Sequence, residues 1–112
     1  MTFERFLVVV VPFPFTDVSA SKKRPALILS ESSSFNSRMK KSVMAMVTTK
    51  SNPAWALDVH LIDWQAIGLR TASIVRMKLF TLDNALIVRQ LGTLSERDRS
   101  AVTLAVRELF GY

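Results

Sequence analysis

An arginine set before a proline, Arg24-Pro25, and a threonine pair closing an apolar run, Thr48-Thr49, are the residues of this 112-residue chain best suited to act on a phosphate. The planar guanidinium fork of arginine makes bidentate bonds to phosphate and stays charged at any working pH. Pro25 restricts the backbone before it, so the Arg24 side chain can be aimed. A threonine hydroxyl can donate to a phosphate oxygen or orient a reacting group. Cutting RNA without a metal needs a ribose 2′-hydroxyl activated, charge on the phosphorus centre stabilised and the leaving oxygen helped, and arginine suits the second task. Each residue also has an ordinary structural use, threonine in strand packing and arginine as a surface cation.

The charge pattern points to the same chemistry. The formal net charge is +6. Lys22, Lys23, Arg24, Arg38, Lys40, Lys41 and Lys50 face Glu31 alone within residues 21 to 50, and the rest of the chain is balanced. A positive field confined to one region attracts polyanions, so nucleic acid is the leading partner class, with solvated loop lysines as the plainer reading. There is no cysteine, and His60 is the one histidine. That excludes disulfides, thiolate chemistry, two-histidine metal sites and histidine-pair catalysis within one chain. The carboxylates are scattered, with no pair spaced for acid-base work. His60 is expected to be structural, Trp55 and Trp64 to pack rather than to stack bases, and Met44, Met46 and Met77 to fill core or interface.

The elements that must position these residues follow from periodicity. The apolar composition of 49% with 21% charged residues suits one compact core. Residues 6 to 11 predict a strand buried on both faces, stopped by Pro12 and Pro14. A polar loop follows, then strands over 25 to 29, 43 to 49 and 55 to 61, with the serine cluster Ser30 to Ser34 and a basic loop over 36 to 41 between the second and third. Asp63 to Gly68 predicts one helical turn with an aspartate cap, and 73 to 82 and 86 to 91 predict two more strands. Ser95 caps a terminal helix whose stripe is Val102, Ala105, Val106 and Leu109, ended by Gly111. The sum is mainly β with a C-terminal helix, a small antiparallel barrel in a single domain over residues 1 to 112. No run reaches the roughly 18 apolar residues that span a bilayer, so no membrane role is expected. Val18-Ser19-Ala20 has the small-residue look of a cleavage site, but Glu4 and two prolines argue against a secretion signal, and a cytoplasmic location is expected.

In this order VPFPFTD, KKRPALILS, AMVTTKSNP, DWQAIGL, SIVRMKLFTLD and LGTLS resemble the MazF/PemK family of bacterial toxin-antitoxin toxins, from about Val11 to Leu94. The resemblance implies an SH3-like barrel of the MazF/PemK/CcdB type that forms a homodimer. It implies a sequence-specific endoribonuclease that cuts single-stranded RNA by 2′-hydroxyl attack, with no metal and no cofactor, leaving a 2′,3′-cyclic phosphate and a 5′-hydroxyl. The family's catalytic arginine and threonine match Arg24 and Thr48. The RNA groove is expected along the loop Phe15 to Lys23, with Thr16, Ser21, Lys22 and Lys23, and at Thr49, Lys50, Arg76 and Lys78. Arg76 matches an arginine that some members use near the scissile phosphate. A cognate antitoxin with an acidic and apolar tail is the implied protein partner. Two positions depart from the family. Phe6-Leu7 stands where a glycine-aspartate pair is usual, and Lys78 stands where some members carry an acid. The alternatives are a gyrase-inhibiting toxin of the CcdB kind and a non-catalytic RNA-binding barrel.

Overall fold

The computed structural model describes residues 3–13, 22–49 and 53–112. Six strands form one antiparallel sheet: β1 (Leu7–Phe13), β2 (Lys22–Ile28), β3 (Lys41–Thr49), β4 (Val59–His60), β5 (Ser73–Asp83) and β6 (Arg89–Thr93). Their order is β4-β5-β3-β2-β1-β6, curled into a half-barrel, with α3 (Glu96–Phe110) at the C-terminus after the short helices α1 (Ser37–Met39) and α2 (Trp64–Ile67). This is the mainly-β fold with a terminal helix that the sequence predicts. Among the described residues no helix is long and apolar enough to cross a membrane.

The core is two-sided because side chains alternate across a strand. Leu7, Val9 and Val11 meet Ala26, Ile28, Met44 and Leu82 on one face. Val8 meets Leu27, Ala45, Val47 and Val75 on the other, where Val102 and Ala105 of α3 close the cluster. Both faces of β1 are therefore dry, which is why its run is apolar without a break. Ser95 caps α3 by accepting the Asp98 N–H, and Gly111 ends it in the left-handed conformation at φ 79°. Leu109, expected in the buried stripe, is exposed in the last turn.

Several elements differ from the periodicity. Pro12 does not stop β1: it sits opposite Lys23 in the β1–β2 ladder. The β6 pairing ends at Val10, so beyond that point β1 needs no donor toward β6, and a proline is tolerated. β2 begins three residues earlier than expected, so Arg24 lies inside the strand, opposite Val11, rather than at a loop junction. The fourth strand shrinks to Val59–His60, and the serine cluster is a helical turn over Ser32–Asn36 leading into α1. Asp63 makes no side-chain cap on α2. Its carboxylate accepts instead from Ser95 and, bidentately, from Arg97, and the Arg97 guanidinium first and the Ser95 hydroxyl second hold it well below the usual carboxylate range.

Phe6 leads into β1 with φ 72°, a region that favours glycine. This is the position where the resemblance leads one to expect glycine. The ring packs against the α3 side of the core and lies under the guanidinium groups of Arg5 at 4.6 Å and Arg99 at 5.9 Å.

Candidate active site

The β2–β3 register sets Ala26 opposite Met46. The β2–β3 ladder ends at that pair, Arg24 and Thr48 lie two residues beyond it on their strands, and both line one cleft of about 240 Å³. Alternation explains the shared face, because Arg24, Ala26, Met46 and Thr48 are spaced by two from one another along their strands. Phe13 of β1 lines the cleft as well, as do Arg76 and Lys78 of β5 and Trp55 of the segment before β4.

A bulge in β5 brings in the two cations. Ala45 pairs with Leu79 while the next residue, Met46, pairs with Arg76, so Met77 and Lys78 have no partner position on β3. Two extra residues, unlike one, preserve the alternation. Arg76, Lys78 and Phe80 thus keep one face across the bulge.

The cations differ in how they are held. Arg76 donates from Nε to Asp58 Oδ1 at 3.1 Å, and from Nη2 to Asp58 Oδ2 at 2.9 Å and to the Pro53 carbonyl at 2.6 Å. Both side chains are largely buried, at 11% and 7% exposure. Asp58 Oδ2 also accepts the Trp55 N–H at 3.0 Å. One carboxylate thereby ties the 53–58 segment to β5. The hydrogen bonds from Arg76 lower the Asp58 pKa from its ordinary value against the opposing effect of burial, so the group is a weak base. Arg24 has no carboxylate partner among the described residues and lies 5.1 Å from the Phe13 ring. Among the described residues its charge, like that of Lys78, has no ion pair, whereas that of Arg76 does.

Trp55 is 47% exposed, with the Arg76 guanidinium 5.4 Å and the Lys78 ammonium 6.0 Å from its ring. With Phe13 it lines the cleft, contrary to the packed role expected, whereas Trp64 is half-buried against the core. Asp58 was not anticipated either, since nothing in the spacing links it to a cation eighteen positions away. Lys23 and Thr49 line a second groove beyond Arg24, and Lys22 is exposed opposite Phe13. Thr16, Ser21 and Lys50 lie outside the described residues. His60, expected to be structural, is exposed on β4. Met44 and Met77 are core, and Met46 lines the cleft.

A family model described as the PemK-like, MazF-like toxin of type II toxin-antitoxin systems matches residues 4–110. The chain belongs to that family. Among solved structures, this MazF-like chain is similar to MazF (Form-I) from Deinococcus radiodurans, at 18% identity and TM-score 0.75, over 100% of this chain and 99% of that one. It is similar to an endoribonuclease in complex with its cognate antitoxin from Mycobacterial species, at 17% identity and TM-score 0.74, over 97% and 95%. It is also similar to the Mycobacterium tuberculosis toxin MazF-mt6, at 22% identity and TM-score 0.72, over 94% and 96%. These likenesses establish the MazF fold. A comparison with curated proteins found no match to the sequence. Where some MazF-like toxins carry an acid two residues after the arginine, this one has Lys78, and the carboxylate on Arg76 comes from Asp58.

Proposed function

We propose that this MazF-like chain is a metal-independent, sequence-specific endoribonuclease acting on single-stranded RNA. The observation that carries the reading is the meeting of Arg24 and Thr48 in one cleft with Arg76, Lys78 and an exposed Trp55. In the reaction the ribose 2′-oxygen loses its proton and bonds to the adjacent phosphorus, and the bond from phosphorus to the 5′-oxygen breaks. The products are a 2′,3′-cyclic phosphate and a 5′-hydroxyl, the leaving oxygen having gained a proton. Arg24 neutralises charge growing on the non-bridging oxygens, and the Thr48 hydroxyl donates to one of them. Arg76, with its charge shared with Asp58, orients rather than drives, and the Asp58 carboxylate is already engaged by Arg76 and the Trp55 N–H. Trp55 offers an indole face on which a base can stack beside the cut.

The same reading makes the chain a cytoplasmic homodimer, free of cofactor and inhibited by a cognate antitoxin whose acidic tail complements the basic stretch over residues 21 to 50. The test is incubation of purified protein with a long RNA in EDTA. Cleavage with 5′-hydroxyl ends is expected. Intact RNA accompanied by inhibited DNA gyrase would assign the chain to the CcdB kind of action instead, and salt-sensitive binding without cleavage would make it a binding module.

A further inference from the structure

A second groove, of about 300 Å³, opens beside the first. Its floor includes Val10, Pro25, Leu69 and Leu91. Val10 and Pro25 are two residues from Val8 and Leu27, so by alternation this groove lies on the α3 side of the sheet, and the cleft of Thr48 lies on the opposite side. Arg24 lines both. The rim holds Lys23, Arg24, Arg70 and Arg89 together with the hydroxyls of Thr49 and Ser73, and among the described residues no carboxylate lines it. Among the described residues, ion pairs occupy Lys41, Arg76 and Arg97, and none occupies Arg24, Arg70 or Arg89.

We propose that this groove holds nucleotides flanking the cleaved step of the same RNA strand, which passes over the rim at Arg24. Arg70 and Arg89 take backbone phosphates, and the apolar floor takes a base face. The proposal rests on the ribonuclease reading. Two features favour RNA over a protein segment: continuity with the cleft through a shared arginine, and a cation set with no acid among the described lining residues, which suits a repeating anion.

The experiment uses the full chain with Arg70→Ala and Arg89→Ala together. Both residues are exposed, so the fold is expected to survive, and a thermal melt checks this. KM for a long single-stranded RNA is expected to rise about tenfold, with a smaller rise on a short oligomer spanning only the cleaved step. The salt dependence of binding should become shallower by about 0.7 log unit per contact, hence about 1.4 for two. A long-RNA KM and salt slope equal to wild type overturn the proposal. So does an equal rise on both substrate lengths, or a loss confined to an acidic peptide, which would mark a protein site. If the wild type cleaves no RNA, the ribonuclease reading fails separately, and the salt slope for intact RNA still decides the groove in the same two directions.

Discussion

Two arginines reach the cleft, and the difference between them underlies the roles proposed for them. Arg76 is fixed by three hydrogen bonds and shares its charge with Asp58, whereas Arg24 meets only the Phe13 ring among the described residues. Trp55 stands over Arg76 with an exposed ring, and a stacked base contributes about 1–3 kcal/mol. Trp55→Ala should therefore raise KM for RNA by about tenfold or more with a smaller change in kcat, while Trp55→Phe keeps most of the affinity. Equal KM values for wild type and Trp55→Ala would remove the ring from the binding surface. Arg24 and Thr48 could be nominated from the sequence because their types carry phosphate chemistry and their neighbours resemble a family, and the structure brings both to one cleft. Trp55 was not legible in this way, because tryptophan serves cores and stacking surfaces equally well and its segment has no period to fix a face. Asp58 was hidden for a related reason: its partner is brought to it by the sheet and not by spacing.

At the scale of elements, the start of β1 and the 53–58 segment make opposite demands. Phe6 holds a left-handed conformation that costs an L-residue roughly 1–2 kcal/mol, offset by ring packing and two cations. Phe6→Ala and Phe6→Gly both lose the ring, but only glycine escapes the strain. The glycine variant should be the more stable by about 1 kcal/mol, the reverse of the usual order within strands. Thermal unfolding of the two proteins decides, and a more stable alanine variant would contradict the strain. The 53–58 segment depends on the Asp58 carboxylate. Its folded pKa lies below the ordinary 3.8, so its contribution is present above that value and is lost as pH falls through the lower folded value. Asp58→Asn should thus be less stable than wild type at neutral pH, with the gap closing only below pH 3.8. A gap independent of pH would mean that the carboxylate charge does not hold the segment. The proline at position 12 is where the local rule misled: it forbids a ladder donor, but β1 has lost its β6 neighbour by that point, a fact that only the register supplies.

Over the whole molecule, mainly-β content and the terminal helix were readable from alternation and capping, since both faces of β1 and the stripe of α3 are dictated by burial. The open strand order and the bulge at Arg76 were not, because pairing between distant strands leaves no periodic trace. Those non-local features set the two grooves on either side of one sheet end, with Arg24 between them. In the reaction proposed for the cleft, Arg24 and Thr48, which both line it, act on the same phosphate. The most direct measurement is the single-turnover cleavage rate of a long RNA in EDTA by wild type, Arg24→Ala, Thr48→Ala and the double variant. Each single change should slow cleavage by about a hundredfold to a thousandfold, and the double should cost less than the product of the two, as for groups serving one transition state. An Arg24→Ala protein as active as wild type would contradict the account.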